Sequence, residues 1–411
     1  MFHRRTLSSA LSGPVSRNKI RLVFGARQVG KTELLRHVVD PKQTLLLDLG
    51  PARDRRRYEA DPDAFRRMVL ALPERIQNVV VDEIQKVPSL LDEVQGLHGA
   101  DRTRWQFFLT GSSARRLRSE SANLLPGRSH VYRLYPVSRW EKEGPDRVDW
   151  PAASPPGRHA SADPLFPAQE LGRTLVTGSL PGVRAEPTDT AAATLEAYVE
   201  NYLEEEIRRE AVVRDLGAFS TFLRLAALES GQQTNLAALS QESGIAASTL
   251  KGFYGVLVDT FVGYWIRAYG RQGRKRLLVT PRFLLFDTGV RNAAAGLPIE
   301  ESILGSEGPR LLEQWVGLEL ICRAGILGRG HDVSFWRTAS GAEVDWVWES
   351  PAEDIPVEVK WTARPAPKDA RHLETFLDEH PRRARRGFLV CRCARPERVS
   401  ERVLAVPWDR F

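Results

Sequence analysis

The stretch IRLVFGARQVGKTELLRHVV, residues 20 to 39, carries the pattern that decides the fold of the first part of this chain. Its centre, residues 25 to 32, has the form G-x-x-x-x-G-K-[ST] between an apolar strand pattern and an amphipathic helix pattern. Glycines let such a loop face phosphate oxygens with its backbone N–H groups, and we expect Lys31 to reach the β- and γ-phosphates and Thr32 to ligate Mg²⁺. The pattern predicts an ATP-binding loop that consists of Gly25, Ala26, Arg27, Gln28, Val29, Gly30, Lys31 and Thr32.

A pair of acids follows the apolar run NVVV at 78 to 81 and supplies the second half of a nucleotide site. A strand of this kind delivers Asp82 and Glu83 to the carboxyl edge of a parallel sheet, where nucleotides bind in such folds. We expect Asp82 to hold the Mg²⁺ shell and Glu83 to orient and deprotonate the attacking water. The alternative is an acidic cap on the following helix, which would explain one acid but not two. The pair therefore predicts hydrolysis of ATP as well as binding.

Two further segments offer contacts to the transferred phosphate. The run WQFFLTGSS, residues 105 to 113, ends in the hydroxyls of Thr110, Ser112 and Ser113, and Ser112 is the predicted γ-phosphate sensor. Arg128 stands in a Gly-Arg turn and is a candidate arginine finger, either for its own subunit or for a neighbour in a homo-oligomer. A plain surface turn is the alternative interpretation of Arg128.

Length and composition predict a soluble globular protein of two or three domains, since the chain has 411 residues of which 42% are hydrophobic and 27% charged. No apolar run is long enough for a membrane helix. The cysteines are too few and too poorly spaced for a disulfide framework or a zinc site, which predicts reduced thiols and a cytoplasmic location. The formal net charge is +7. Cations are concentrated in runs that suit either DNA binding or a solvated face, at residues 53 to 57, 271 to 276 and 382 to 386.

Changes in pattern along the chain predict four regions. Residues 1 to 140 alternate strand and helix patterns, which predicts a P-loop α/β domain with a parallel sheet, and residues 141 to 189 begin Pro-rich and predict a linker and connector. Residues 190 to 298 contain two helix patterns separated by Gly244 and then two strand patterns around the turn RQGRKR, which predicts a helical, winged-helix region. A helical lid that only packs on the ATPase core is the alternative. Residues 299 to 411 predict a further α/β domain.

Two strand patterns in GAEVDWVWESPAEDIPVEVKW, residues 341 to 361, carry polar residues at alternate positions. Because side chains alternate along a strand, Asp345 of the first strand and Glu358 and Lys360 of the second would share one side of the sheet. This arrangement resembles the PD-(D/E)-x-K nuclease superfamily in order and spacing. The resemblance implies that Asp345 and Glu358 bind Mg²⁺ and that Lys360 positions the water or stabilises charge on the phosphate. The alternative is a structural sheet whose Glu358 and Lys360 form salt bridges.

A helix pattern at residues 311 to 326 adds another acid to this region. Glu319 shares a stripe with three apolar residues, which turns it towards the sheet, and a buried acid there needs a partner such as a metal or Lys360. Glu313, one residue off the stripe, is the competing helix carboxylate and metal ligand.

A series of motifs runs through nearly the whole chain: GARQVGKTELL, VVVDEIQKVPSLLDEV, LTGSSARRLR with NLLPGR, GSLPGV, RLLVTPRFLLFDTGV, LLEQWVGLEL, and EVDW with VEVKW. Their order resembles that of bacterial and archaeal AAA-like ATPases that carry a winged helix and a C-terminal domain of unknown function. The resemblance implies an ATPase domain joined to a restriction-endonuclease-like fold.

The motifs together predict a Mg²⁺-dependent ATPase whose nucleotide state controls a DNA-binding C-terminal half, with DNA cleavage as a further prediction. The alternative is a nucleotide-switched regulator that holds DNA or a protein partner with an inactive nuclease-like fold. A protein-remodelling chaperone fits less well, because the sequence has no evident aromatic loop for threading a substrate.

Overall fold

The computed structural model describes residues 3 to 14, 18 to 113, 127 to 142, 166 to 203, 215 to 270 and 280 to 411. The chain forms two compact units. The first contains Met1–Val137 and Gly255–Val262, and the second contains Ser138–Tyr254 and Gly263–Phe411. Among the described residues, no helix combines the length and the apolar character that crossing a membrane requires.

The first unit is built from alternating strands and helices. Its strands are β1 (Ile20–Phe24), β2 (Thr44–Asp48), β3 (Asn78–Asp82), β4 (Gln106–Gly111) and β5 (Ser129–Arg133). Its helices are α1 (Leu7–Ser12), α2 (Lys31–Val38), α3 (Ala52–Ala60), α4 (Asp63–Leu70) and α5 (Leu90–Ala100).

All strand pairs in the first unit are parallel, and the strand order is β2-β3-β4-β1-β5. The predicted parallel α/β architecture of this region is therefore confirmed. Strands β1 and β3 are buried along their whole length because they lie inside the sheet. Since the strands are parallel, the loops after β1, β3 and β4 all leave the same edge. The predicted nucleotide residues consequently lie at one edge.

The edge strand β5 was not predicted from the sequence. Its side chains are only partly buried, and Val131 is 54% exposed. An edge strand of this kind lacks the continuous apolar run by which β1 and β3 are recognised.

A residue from far along the chain completes the core of the first unit. Phe261 packs against the core cluster of this unit and stacks on Phe24, with ring centroids 5.8 Å apart and an interplanar angle of 20°. The Arg133 guanidinium lies over the Phe261 ring, 4.9 Å from its centroid. Phe24 immediately precedes the phosphate-binding loop, so Phe261 supports the strand end from which that loop starts.

The second unit combines helices with a larger sheet. Its helices are α6 (Leu171–Thr177), α7 (Pro181–Arg184), α8 (Thr188–Ala197), α9 (Leu216–Leu228), α10 (Leu236–Ser243), α11 (Ala247–Asp259, whose last turn belongs to the first unit), α12 (Thr288–Ala295), α13 (Leu304–Leu327) and α14 (Arg371–Glu379). Its strands are β6 (Gly263–Ala268), β7 (Arg282–Leu285), β8 (Asp332–Arg337), β9 (Glu343–Glu349), β10 (Asp354–Val359), β11 (Gly387–Cys391), β12 (Glu397–Arg398) and β13 (Val403–Pro407).

The predicted order of helix, turn, helix and hairpin is present in the middle region. Helix α10 ends at Gly244, which adopts a left-handed conformation, and α11 follows. Strands β6 and β7 pair antiparallel, but β6 also pairs in parallel with β8 through Arg267 and Ser334. The hairpin is therefore part of the large sheet rather than a free wing, and a winged helix is not supported. The predicted wing turn at 271 to 276 lies outside the described residues.

The large sheet is mixed and has eight strands in the order β12-β13-β11-β10-β9-β8-β6-β7. The antiparallel pair β9 and β10 lies next to the parallel pair β10 and β11. Mixed sheets occur in many folds, so the nuclease-like fold of this region remains a prediction. The carboxyl ends of β10 and β11 lie at one edge, and the predicted C-terminal site is close to it.

Candidate functional site

The loop after β1 has a backbone that only certain residues allow. A Cβ atom on Gly25 would lie 2.3 Å from the carbonyl oxygen of Leu134, so a side chain there is excluded. Gly30 caps helix α2 with a φ of 91°, in the left-handed region that favours glycine. Gly25 is thus required because the Leu134 carbonyl leaves no room for a side chain. Gly30 is required because of its left-handed backbone conformation.

Lys31 and Thr32 begin helix α2 and face into the loop. Lys31 is 6% exposed, and its Nζ donates to the carbonyl oxygens of Gly25 and Ala26 at 3.0 and 2.9 Å. Thr32 Oγ1 donates to Asp82 Oδ2 at 2.6 Å. The structure therefore brings together the predicted phosphate lysine, the predicted Mg²⁺ hydroxyl and the predicted Mg²⁺ carboxylate.

Asp82 and Glu83 are both tied to the hydroxyl of Thr110 at the end of β4. Thr110 Oγ1 donates to Asp82 Oδ1 and accepts a 3.1 Å hydrogen bond from the backbone N–H of Glu83. Glu83 itself has a φ of 60°, a left-handed conformation that is uncommon for a residue with a side chain. This turn directs the two adjacent carboxylates to different partners.

One oxygen of Glu83 is held by two donors. Oε2 accepts from Gln85 Nε2 at 2.6 Å and from Ser112 Oγ at 3.2 Å, and Gln85 Nε2 also donates to Ser112 Oγ at 2.8 Å. Gln85 is 3% exposed and lies in a short 3₁₀ helix, Ile84–Lys86. The predicted base and the predicted sensor are therefore in direct contact.

Gln85 was not predicted as a site residue from the sequence. The signal that could have found it is a polar residue among apolar ones in the run IQKV, directly after the acid pair. Its role depends on the 3₁₀ turn, which folds its carboxamide back onto Glu83.

The charge on Glu83 is stabilised by its surroundings. Burial alone would raise its pKa, but three nearby cations and the hydrogen bond from Gln85 outweigh burial and lower the pKa below its ordinary value. The cations are Lys31, Arg27 and Lys86. Glu83 is therefore an ionised acceptor near neutral pH, as a general base must be.

Arg128 lies at the amino ends of the strands, opposite to the end that carries the phosphate-binding loop. It immediately precedes β5, and its carbonyl oxygen accepts a 3.0 Å hydrogen bond from the N–H of Ile20 at the amino end of β1. The phosphate-binding loop leaves the carboxyl end of β1, about 16 Å away over five strand residues. An arginine finger in its own subunit is thus incompatible with this geometry, and action on a neighbouring subunit remains a prediction.

Three segments of the chain are similar to known domain families. Residues 17–142 match the family model of an AAA domain. AAA domains are nucleotide-binding modules, so the match agrees with the P-loop geometry. Two further segments match domains of unknown function, DUF8612 over residues 168–301 and DUF4143 over residues 309–411.

Similar full-length proteins are themselves uncharacterized. Proteins of Mycobacterium tuberculosis and Mycobacterium bovis are each 24% identical over 366 residues, which cover 89% of this chain and 76% of theirs. A protein of Haemophilus influenzae is 23% identical over 359 residues, with 83% and 82% covered. Among solved structures, protein VC1899 from Vibrio cholerae aligns with 95% of this chain and 94% of its own at 12% identity, but the TM-score of 0.20 is too low to carry an argument.

A second polar cluster lies beyond the AAA domain, on strands β9 and β10. Val359 N donates to Asp345 Oδ2 at 2.8 Å, and Lys360 Nζ donates to Glu358 Oε1 at 2.7 Å. Glu358 is 4% exposed, and its second oxygen, Oε2, is buried without a hydrogen-bond partner. The three residues predicted from the alternating pattern are thus neighbours.

Arg282 from β7 joins this cluster to helix α13. Its Nη1 donates to Glu313 Oε1 at 3.2 Å and to the carbonyl oxygen of Asp345 at 3.3 Å, and its Nη2 donates to Glu343. Arg282 is 5% exposed. This cation was not predicted from the sequence, where its signal is a charged residue inside the apolar run around β7.

The carboxyl groups of the cluster hold protons more tightly than usual. Burial, and then the charge of Asp345, raise the pKa of Glu313 to about 8 and that of Glu358 to about 8. Burial also raises the pKa of Asp345. Lys360 lowers the pKa of Glu358 without cancelling these effects. Such a group of carboxyls favours a cation that can neutralise it.

Glu319 is buried, as its stripe predicted, but its predicted contact with Lys360 is wrong. Its Oε2 accepts hydrogen bonds from Ser138 Oγ at 2.7 Å and from Arg139 N at 3.1 Å, not from Lys360. Burial raises its pKa to about 7. The helix acid that approaches Asp345 is Glu313, the competing candidate. Glu319 thus belongs to a different hydrogen-bond network from Lys360, and its role as a metal ligand stays a prediction.

Within the described residues, no three His, Cys, Asp or Glu side chains are arranged as a ready metal site. In the second cluster, Lys360 and the N–H of Val359 occupy carboxylate oxygens that a metal would need. The observation that favours a cation there is the buried Glu358 Oε2, which lies among acids and accepts no hydrogen bond.

Proposed function

We propose that this protein binds and hydrolyses ATP with Mg²⁺ at the edge of the parallel sheet. The observation that carries the proposal is the contact of Thr32 with Asp82, together with Glu83 held beside them by Gln85 and Ser112. Residues 50 positions apart in the chain meet only because the strands that precede them are parallel neighbours of β4. The match to an AAA domain supports the same activity.

Each residue of this site has a proposed task. The loop N–H groups and Lys31 bind the phosphates, which requires Lys31 to exchange its carbonyl partners for phosphate oxygens. Thr32 and Asp82 hold Mg²⁺, which neutralises charge on the phosphates. Glu83 accepts a proton from the attacking water, because its lowered pKa keeps it ionised.

Phosphate release from ATP tests this proposal. We expect Lys31→Ala to lose ATP binding, and Glu83→Gln to retain binding while losing turnover by about a hundredfold or more. Glu59→Gln, at a half-exposed acid of helix α3, is the matched control and should behave as wild type. Turnover at the wild-type rate in Glu83→Gln would refute the assignment of the base.

A second proposed activity is metal-dependent cleavage of a phosphodiester at the cluster on β9 and β10. Asp345, Glu358 and Glu313 would hold a Mg²⁺ or Mn²⁺ ion, which activates water and stabilises charge on the phosphate. The orphaned, buried Glu358 Oε2 and the raised pKa of Glu313 support this proposal. Lys360, 42% exposed at its side chain, can leave Glu358 for a phosphate.

Plasmid nicking with Mg²⁺ or Mn²⁺ tests the second activity. We expect Lys360→Ala to stop cutting without loss of fold, and Glu358→Gln to lose both metal binding and cutting. Glu319→Gln replaces an equally buried acid outside the cluster and should leave both intact. If wild-type protein never cuts and Lys360→Ala only lowers its melting temperature, the cluster is a structural salt-bridge network.

The two activities are proposed to be coupled, with the nucleotide state controlling DNA binding by the C-terminal half. DNA affinity should then differ between ATP-bound Glu83→Gln and the nucleotide-free protein. Equal affinity in both states would leave an ATPase and a separate DNA-binding region.

A further inference from the structure

The loops that leave the carboxyl ends of β10 and β11 carry an excess of exposed cations. The two strands are parallel, and their loops continue side by side, since Lys360 N donates to Val390 O at 2.9 Å and Arg392 N to Thr362 O at 2.8 Å. Within the described residues, five cations of these loops and of the first turn of α14 form no ion pair: Arg364, Lys368, Arg371, Arg392 and Arg395. The neighbouring acids are Asp369 and Glu397. We call these two loops the edge patch.

An aromatic ring lies at the centre of the edge patch. The Arg392 guanidinium stacks on Trp361, 4.0 Å from the ring centroid, and its Nη2 donates to the carbonyl oxygen of Trp361 at 3.2 Å. The indole is held from below by helix α13, where a Cβ on Gly308 would lie 2.7 Å from the ring. Arg392 is exposed to solvent.

The opposite end of the same strand provides a contrast. Before β11, Arg383 and Arg386 form ion pairs with Asp354 and Glu353 at 3.0 and 2.6 Å. Arg382 and Arg385 are exposed there, and among the described contacts neither stacks on a ring. Arg386 also lies over a ring, 5.9 Å from the Phe388 centroid, but it is paired with Glu353 and Phe388 is buried. Among the described residues at the two ends of β11, the closer stack and the cations without ion pairs therefore occur together in the edge patch.

We propose that the edge patch binds single-stranded nucleic acid, with a base stacked on the Trp361–Arg392 platform and phosphates paired with the surrounding cations. Unpaired bases stack on aromatic rings and on guanidinium planes, whereas bases of a duplex have no free face. Exposed cations without carboxylate partners can pair with phosphates and release counterions. DNA and RNA share both features.

The location connects this inference with the second proposed activity. Trp361 directly follows Lys360 in the chain, so the platform begins at the residue after the proposed cleavage cluster. The inference rests on the proposed cleavage activity, because that activity would explain why the protein binds a single strand there. The binding test does not depend on cleavage. Binding is measured without metal or nucleotide, so cleavage can fail while binding succeeds, and the reverse.

The test measures binding of a labelled oligonucleotide of about 16 nucleotides, as DNA and as RNA, by fluorescence anisotropy. It uses the whole chain, in the presence of EDTA. We expect Arg364→Ala/Arg392→Ala to weaken binding and to reduce the slope of log K against log salt by about 1.4, the value for two phosphate contacts of a single strand. Arg382→Ala/Arg385→Ala removes the same charge at the other end of β11 and should leave affinity within about twofold.

Stacking is tested separately with an oligonucleotide in which the bases are replaced by abasic sites. Wild-type protein should bind it at least about fivefold more weakly than the normal strand, as loss of one stacked base predicts. Arg392→Ala should reduce this preference. Trp361→Phe should retain it, and serves where Trp361→Ala does not fold.

Three outcomes would overturn the proposal. These are equal losses in the two double variants, equal affinity of the wild type for normal and abasic strands, and tighter binding of a duplex of the same sequence. If RNA and DNA bind equally, the shared chemistry of base and phosphate is sufficient, whereas a preference for one identifies the natural ligand.

Discussion

Glu83 holds a left-handed backbone conformation, with a φ of 60°, at the point where its carboxylate must face the phosphate site. Such a conformation costs about 1 to 2 kcal/mol for a residue other than glycine. Thr110 fixes its N–H, while Gln85 and Ser112 fix one carboxylate oxygen. The other oxygen, Oε1, is therefore the one that can accept a proton from water.

Gln85 is predicted to act as a positioning residue for Glu83. Gln85→Leu removes both donated hydrogen bonds and should lower kcat for ATP by about tenfold or more, because hydrogen bonds to charged groups contribute about 1.5 to 3 kcal/mol. KM should change little. The lost hydrogen bond also lowered the pKa of Glu83, so the acidic limb of the kcat profile should move to higher pH. Gln43→Leu, at an exposed glutamine, is the control, and an unshifted pH profile would mean that Gln85 only packs.

The raised pKa of Glu358 predicts a pH-dependent stability. Its pKa rises from 4.5 to about 8 in the folded protein, so the folded state binds this proton more tightly than the unfolded state does. The resulting stabilisation is fully present below pH 4.5 and is lost as the pH rises through about 8. Chemical denaturation should therefore show the second unit losing stability between pH 5 and 8.5, and Glu358→Gln should flatten that loss. A wild-type curve as flat as that of the variant would contradict the assignment.

At the scale of elements, strand β7 has a role that its own sequence does not show. It pairs with β6, which continues into the large sheet through β8, and it brings Arg282 to helix α13 and strand β9. One side chain thereby neutralises acids from two other elements. The hairpin is thus a structural part of the acidic cluster.

Two arginines pair with Glu343, one buried and one exposed. Replacing each in turn compares the stability contributed by a buried ion pair with that of an exposed one. Arg282, whose side chain is 6% exposed, and Arg337, which is 50% exposed, both pair with Glu343. Arg282→Met should destabilise the second unit by about 3 kcal/mol because it leaves Glu313 and Glu343 without their shared cation. Arg337→Met should cost less than about 0.5 kcal/mol. Equal shifts in urea midpoints would show that burial does not matter at this site.

At the scale of the whole molecule, the first unit is not a continuous piece of sequence. Gly255–Val262 belongs to it, although the other residues of the unit end at Val137. Phe261, with a φ of 63°, stacks beneath the strand end that carries the phosphate-binding loop. A fragment that ends near residue 140 would lack this ring.

Phe261→Ala should therefore destabilise the AAA domain in the full-length chain. Loss of a partly buried ring predicts about 2 to 3 kcal/mol, and hydrogen exchange of the β1 amides should become faster. Added ATP should restore part of the protection, because a ligand stabilises the state that binds it. Leu70→Ala, at a side chain 57% exposed, is the control in the same unit. Unchanged exchange in β1 would place Phe261 outside the core.

Features that depend on residues close together in the chain could be predicted from the sequence. The phosphate-binding loop is one contiguous motif between a strand and a helix, and four strands of the first sheet are short apolar runs, so their place in a parallel α/β domain follows from local pattern. The alternation in EVDWVW and VEVKW likewise placed Asp345, Glu358 and Lys360 on one side, because the period of a strand is two residues.

Contacts between residues far apart in the sequence could be read only from the tertiary structure. Helical periodicity showed that Glu319 is buried but not what covers it. Glu313 and Glu319 are six positions apart, which is about 9 Å along the helix, so packing selects the one that reaches the sheet. Arg128 lies at the amino ends of the strands because it precedes β5, whereas the phosphate-binding loop leaves the carboxyl end of β1. Phe261, to which no role was assigned from the sequence, is brought to the carboxyl end of β1 by the return of the chain to the first unit. These contacts join residues far apart in sequence, and no local propensity encodes them.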